Sequence, residues 1–366
     1  MCMVSFDWEE CDAAEKAKNF EKKRSLSWVV IELTDACNLN CIWCYANAGN
    51  GAWKPSKNMA SEKLETLLKM LSDAGVRQIT YSGGEPTLYP RIREAVKMAK
   101  AMGFVVHMNT NGFIFTRELA KELKALGLTQ IQTNIDSINP SKHDYIRGMP
   151  GSFERATKAL VNAREVGITA VSQTVLTRMN EEEICDIFRF SKAIGASRCR
   201  VWDMTPSEGI ARSNMIISPS HYTGTLERLY DFSMQLGLKA IESGEPLFPL
   251  GRRLAVPVRG GFCISYFGAY TTVSIEGDAY YCAAYRQPLY NVFEDVDGPL
   301  DVFHRERLSR FIGANVQPPP SCSGCASLKT CVGGCLVRRK ASECGVDTAC
   351  NLAAQPCLEK SMVSAL

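Results

Sequence analysis

With 366 residues, 46% of them hydrophobic and 22% charged, the chain has the balance of an ordinary globular protein, which excludes a disordered or membrane-embedded one. Its 42 basic residues against 39 acidic ones leave a formal charge of +3, so no nucleic-acid partner is expected. The length exceeds one average domain and predicts a large domain followed by a smaller one.

Met1 to Arg24 is polar, carries charges of both signs and lacks the apolar core and cleavage site of a secretory signal. No run of about 18 apolar residues is present. A cytoplasmic chain without a membrane partner is therefore expected, and residues 1–27 read as an N-terminal extension. From Trp28 to about Pro206, short β-branched runs alternate with amphipathic helical stretches. The predicted strands are Trp28 to Leu33, Val76 to Ser82, Phe104 to Asn109, Thr129 to Asp136, Ala170 to Thr177 and Arg198 to Asp203. Between the first two, Leu64, Leu67, Leu68 and Leu71 recur at helical spacing across Ser61 to Ala74, with Ser61 placed to cap and Gly75 to terminate.

Such alternation implies an α/β fold with a parallel sheet and right-handed crossovers, with the chemistry at the carboxyl ends of the strands. Six units predict a partial (β/α)6 TIM barrel over residues 28–215; a doubly wound open sheet is the alternative. Residues 216–260 hold one weak helical pattern, His221 to Ser243, then a Pro-rich turn region, and read as a bridge. Residues 261–366 combine short strands, glycines and clustered cysteines, as suits a small domain held together by metal, and Pro318 to Pro320 break regular structure before the densest cluster.

Sixteen cysteines in a cytoplasmic chain of this size point to metal rather than to disulfides. Cys37, Cys41 and Cys44 fall within eight residues, nine more lie from Cys263 to Cys357, and the long middle holds only Cys185 and Cys199, read as buried apolar residues. Three thiolates on one short loop after the first strand can hold three irons of a cubane and leave the fourth open. Zinc, the alternative, normally takes four closed ligands. After the second strand stands Ser82-Gly83-Gly84-Glu85-Pro86, whose glycines permit close backbone approach and whose carboxylate can accept from an ammonium group.

Cys37-x-x-x-Cys41-x-x-Cys44, with the aromatic Trp43 inside it and Gly83-Gly84-Glu85 behind it, resembles the signature of the radical S-adenosylmethionine superfamily. The resemblance implies a [4Fe-4S] cluster on the catalytic cysteines Cys37, Cys41 and Cys44, with S-adenosylmethionine on its open iron. It also implies that Gly83, Gly84 and Glu85 receive the methionine amino group and that Trp43 lies near the cofactor. Thr110, in Thr110-Asn111-Gly112, and Asn134, in Asn134-Ile135-Asp136, match cofactor-side positions of the family; relatives often carry serine where Asn134 stands, and a plain polar strand end is the alternative. His143 to Gly148 also resembles a family segment, with Arg147 open to a structural role, and Pro206 to Arg212 resembles the loop near the adenine.

The C-terminal series Cys263, Gly277, Cys282, Cys322, Cys325, Cys331 and Cys335 resembles the SPASM module, which binds one or two auxiliary [4Fe-4S] clusters. By that resemblance Cys263, Cys282 and Cys335 serve the first cluster, and Cys322, Cys325 and Cys331 the second with a late cysteine. Cys357 fits the end of the module and Cys350 is nearer; either could complete the second cluster and the other close the first, while Cys344 is unassigned. A zinc ribbon is the alternative.

The implied activity is reductive cleavage of S-adenosylmethionine to a 5'-deoxyadenosyl radical, which abstracts hydrogen from a substrate. The electron would come from a low-potential donor such as ferredoxin or flavodoxin. Relatives with this module most often modify side chains of ribosomally made peptides or of proteins, the expected substrate class. A small molecule such as a tetrapyrrole or other cofactor precursor is the alternative. Ala283 stands where sulfatase-maturing relatives carry aspartate, which argues against formylglycine formation, and Gly83 to Glu85 argue against a mere electron carrier. The 36 residues ahead of Cys37 are too few for an appended peptide-binding domain, so a leader peptide is expected to need a separate partner or the accessory module.

Overall fold

The computed structural model describes residues 26–46, 48, 56–204, 215–217, 219–237, 241–243, 258–260, 263–325 and 328–341. The six expected strands are present: β1 (Trp28–Thr34), β2 (Gln78–Gly83), β3 (Val105–Asn109), β4 (Leu128–Asn134), β5 (Thr169–Leu176) and β6 (Arg198–Asp203). Helices α1 (Ser61–Asp73), α2 (Ile92–Ala101), α3 (Arg117–Leu126), α4 (Pro140–Arg147), α5 (Ser152–Glu165) and α6 (Ile184–Ala193) alternate with them. The six strands pair in chain order and all in parallel. Because the order never reverses, the sheet is singly wound; the doubly wound alternative needs a reversal point. Among the described residues the outermost strands of the sheet do not pair with each other, so the barrel is partial.

Two sequence expectations are corrected. Ser61 does not cap α1: Ala60 holds the cap position without a side-chain bond, and Ser61 is the first helical residue. Gly75, at φ +77°, does end the helix. The helix expected over His221 to Ser243 is shorter: α7 (Pro219–Gln235) stops before Gly237, at φ +71°, and Ile241–Ser243 forms β7 instead. β7 pairs in parallel with β6, and β8 (Val258–Gly260) with β7. A three-residue strand is too short to show a periodicity, so only the sheet edge reveals it.

The chain then returns to the opposite edge. β9 (Tyr270–Val273) pairs in parallel with β1, and β10 (Asp278–Cys282) and β11 (Tyr285–Asn291) continue antiparallel. Helix α8 (Leu300–Asn315) and the short helices α9 (Leu328–Cys331) and α10 (Leu336–Ala341) follow. Among the described residues no helix is long and apolar enough to cross a membrane.

Strand alternation sorts the side chains. Val29, Ile31 and Leu33 of β1 join Ile79 and Tyr81 of β2 and Leu64, Leu67, Leu68 and Leu71 of α1 in one core under the helices. The alternate positions form a polar network of their own. Trp28 Nε1 donates to Thr80 Oγ1 at 2.8 Å, Arg200 Nη1 to Gln132 Oε1 at 2.8 Å, and Arg198 to Gln130. Buried polar groups are mostly partnered, and here they partner one another between β1 and β2 and, across β5, between β6 and β4.

Burial makes three histidines hold their protons poorly. His107 is pulled down to about 3, by burial first and then by Arg198 and Arg200; His143 falls to about 3 and His304 to about 4. A folded-state value below the unfolded one means that the unfolded chain takes up protons first as pH falls. Stability contributed by these rings is therefore complete above pH ~6.5 and is lost progressively towards pH 3–4. By pH 5 the loss should reach about 2 kcal/mol per histidine. Urea midpoints at pH 7 and pH 5 check this; equal midpoints would mean the rings carry charge in the fold.

Candidate active site

The cysteine loop leaves the carboxyl end of β1 and is seated from two sides. On one side, Gly84 N donates to Thr34 O at 2.7 Å and Glu85 N to Ala36 O at 2.7 Å. A Cβ on Gly84 would lie 2.1 Å from Ala36 O, and one on Gly83, at φ +122°, 2.3 Å from Thr34 O. The close approach that these glycines permit is thus to the backbone of the cysteine loop itself. On the other side, Asn40 N and Ile42 N donate to Arg147 O and Ile146 O at 3.2 and 3.0 Å, using carbonyls that the C-terminus of α4 leaves free. A Cβ on Gly148, at φ +64°, would stand 2.1 Å from Asn40 O.

Glu85 is buried, and its carboxylate is largely committed to the protein. Oε1 accepts from Thr87 N at 3.0 Å, Thr110 Oγ1 at 2.6 Å and the Thr87 hydroxyl; Oε2 accepts from Asn111 N at 2.6 Å. Each carboxylate oxygen offers two lone-pair directions; three donors crowd Oε1, while Oε2 accepts one bond and keeps one direction open. Burial raises its pKa, and these hydrogen bonds oppose the rise. Thr110 also accepts from Gly112 N at 3.1 Å within its own loop, and its bond to Glu85 ties the β3 loop to the β2 loop.

Asn111 reaches further than its backbone. Its Nδ2 donates to Asn38 Oδ1 at 2.8 Å and approaches Cys37 Sγ at 3.9 Å. Below it, Asp136 is completely buried and receives Val175 N at 3.0 Å, Asn134 Nδ2 at 3.4 Å and Arg147 Nη1 at 3.4 Å. Asn134 thus meets Asp136 directly. Trp43 packs with Ile146, Met204 and Met215, and among the described residues its buried Nε1 has no hydrogen-bond partner.

The thiols feel this surrounding. Burial raises Cys37, and raises Cys41 to about 11, while Arg147 opposes the rise at both. Burial works against the Arg147 charge, while Asp136 and, once ionised as iron ligands are, Cys41, Cys37 and Cys44 favour it. Among the described residues no three potential ligands converge as a single-ion site. In a cubane each thiolate binds its own iron, so convergence on one point is not required. Three thiols on one loop, a buried cation beside them and an amide N–H on one sulfur fit an iron–sulfur cluster.

Of the C-terminal cysteines, Cys263, Cys282 and Cys335 pack against one apolar cluster around Tyr281 and Leu308. Cys263 Sγ lies 3.3 Å from the Tyr281 hydroxyl, and the fields of all three cysteines help burial to raise the Tyr281 pKa. Cys322 and Cys325 share one turn, Cys325 N donating to Cys322 O at 3.1 Å, and Cys331 closes α9. Cys344, Cys350, Cys357 and the Pro206 to Arg212 loop lie outside the described residues.

Three features were not singled out as site residues by the sequence. Arg147 and Asn111 were visible within family-like segments, but a role beside the thiols needed their side-chain directions. The third left no sequence signal: Arg286 forms a two-point ion pair with Glu32, at 2.7 and 3.0 Å across 254 residues, and stacks on Tyr280 at 4.3 Å. It ties the segment after Cys282 to the strand before Cys37. A cleft of about 190 Å³ opens here, between Gly83, Gly84 and the β10–β11 hairpin.

Known proteins match this architecture. The family model for the Radical SAM superfamily matches residues 31–191. An AdoMet-dependent heme synthase of Methanosarcina barkeri is 29% identical over 212 residues, 58% of this chain and 59% of that protein. The chain thus spans a little over half the length of that relative. Mycofactocin maturase MftC of Mycolicibacterium smegmatis is 28% identical over 322 residues, 86% of this chain and 78% of its own. The fold of Streptococcus suis SuiB, solved bound to its precursor peptide SuiA, covers 93% of this chain and 79% of its own at a TM-score of 0.72 and 20% identity. Residues 31–191 thus form a domain of the Radical SAM superfamily, whose members pair S-adenosylmethionine with a [4Fe-4S] cluster, and the chain as a whole is similar in sequence to the maturase and in fold to SuiB.

Proposed function

We propose that the chain is a radical SAM maturase that abstracts hydrogen from a peptide or protein side chain. The observation that carries this reading is the cysteine loop, fixed at the carboxyl end of β1 by Gly84 and Gly148 with Arg147 beside its thiols. When bound, the cluster and S-adenosylmethionine supply the electron and the 5'-deoxyadenosyl radical. The residues do the rest. Cys37, Cys41 and Cys44 hold the irons, and Gly83 and Gly84 keep that loop against β2. Glu85 offers its remaining Oε2 lone pair to the methionine ammonium, with Thr110 holding the carboxylate in place. Trp43, buried among Ile146, Met204 and Met215, excludes water from the cofactor side, and Asn134 orients Asp136.

Residues 28–215 would carry this chemistry, 216–260 bridge it, and 261–366 hold one or two auxiliary clusters on Cys263, Cys282, Cys322, Cys325, Cys331, Cys335 and a late cysteine, Cys350 or Cys357. A cytoplasmic location and a ferredoxin- or flavodoxin-like donor belong to the same reading. Peptide maturation is supported by the longer span shared with the maturase and by the fold of a peptide-bound enzyme. Tetrapyrrole chemistry is the second reading, favoured by the heme synthase match.

The test is anaerobic reconstitution with iron and sulfide, then dithionite and S-adenosylmethionine, with 5'-deoxyadenosine followed by mass spectrometry. Release of 5'-deoxyadenosine is expected, and its absence from iron-loaded protein overturns the enzymatic reading. Deuterium transfer into 5'-deoxyadenosine from a deuterated peptide, but not from a deuterated tetrapyrrole, decides between the substrates.

A further inference from the structure

We infer that Arg147 and Asp136 together set the reduction potential of the cluster on Cys37, Cys41 and Cys44, the arginine favouring the reduced form and the aspartate restraining it. This rests on the reading that those cysteines hold a cluster. The geometry behind it is a buried ion pair that is poorly closed. Arg147 has only 13% of its side chain exposed and Asp136 none, yet they touch through one nitrogen and one oxygen at 3.4 Å. A full guanidinium–carboxylate pair makes two parallel bonds nearer 2.7–2.9 Å. Asp136 Oδ1 is turned instead to Val175 N and Asn134 Nδ2. Among the described residues, Asp136 is the one carboxylate within ion-pair distance of Arg147.

The arginine charge is therefore only partly neutralised by its partner, and Arg147 is held against the cysteine loop: its carbonyl accepts from Asn40 N at 3.2 Å and that of Ile146 from Ile42 N at 3.0 Å, on either side of Cys41, so the three thiolates share its field. A guanidinium stays charged at any working pH. Reduction adds one negative charge to the cluster, and in a buried site a fixed cation stabilises that charge far more than it would in water. Net charge and hydrogen bonds to the sulfurs govern iron–sulfur potentials, and Asn111 supplies such an N–H at Cys37. Arg147 touches neither substrate nor reacting atom in this account; it is a positioning residue that acts through the cluster.

The experiment is a redox titration of reconstituted full-length protein, monitored by EPR on the reduced signal that changes when S-adenosylmethionine is added, which separates this cluster from any auxiliary one. Arg147→Met should move the midpoint to more negative potential and Asp136→Asn to more positive potential, with Arg147→Lys staying close to the parent. Opposite signs are the signature, since a merely structural disturbance has no reason to produce them. Shifts of the same sign, or none, overturn the proposal while leaving the cluster in place. If Arg147→Met does not fold, the positive shift in Asp136→Asn decides alone, and its absence overturns the proposal. A parent chain that takes up no iron overturns the cluster reading and this proposal with it.

Discussion

Cys41→Ala is expected to lose the cluster of the cysteine loop, and with it 5'-deoxyadenosine release should fall to background while the fold persists. The fold is insulated because the loop is held by backbone groups, Asn40 N and Ile42 N on α4 and Ala36 O on Glu85 N, none of which belongs to the Cys41 side chain. As a free thiol Cys41 is pushed up to about 11 by burial, so it sits there neutral, and alanine removes a small uncharged group. Iron analysis, thermal denaturation and product analysis on the same sample separate the two effects. Cys185→Ser, in α6 away from the loop, serves as the control and should change neither iron at this site nor turnover. Retained cleavage in Cys41→Ala would remove the basis of the proposed chemistry.

Gly84→Ala should be nearly as damaging by a different route. Its added Cβ would stand 2.1 Å from Ala36 O and 2.8 Å from Asp35 O, both backbone atoms that cannot rotate away. The backbone of Gly84 is also anchored, through its N–H on Thr34 O at 2.7 Å, so the loop has to move instead. Forcing atoms into a closed space costs about 1–3 kcal/mol or more. The displacement would fall one residue before Cys37. Iron occupancy should drop several-fold, with the core of Leu64, Leu67, Val29 and Ile31 unaffected. Wild-type iron content in Gly84→Ala would show that this contact does not seat the loop. Gly75→Ala is the contrast: nothing lies within 4 Å of that position, so its penalty is confined to the positive φ of a helix end.

The order of the six parallel strands and their helices was determined by the sequence alone. Alternating apolar residues in Trp28–Thr34 and Gln78–Gly83, and the four-leucine stripe of α1, have one economical arrangement, a parallel sheet under helices. The cysteine spacing survives any change of packing, because it lies within one short loop. Tertiary structure alone decided which groups surround that loop. Asp136, in the loop after β4, and Arg147, the last residue of α4, are eleven residues apart, and Glu32 and Arg286 are 254 apart. The short strands β7, β8 and β9 were legible only from the strands they pair with. Short segments take their conformation from the strand already beside them, and a buried charge takes its partner from whatever chain segment is folded against it, so neither is encoded in a local window.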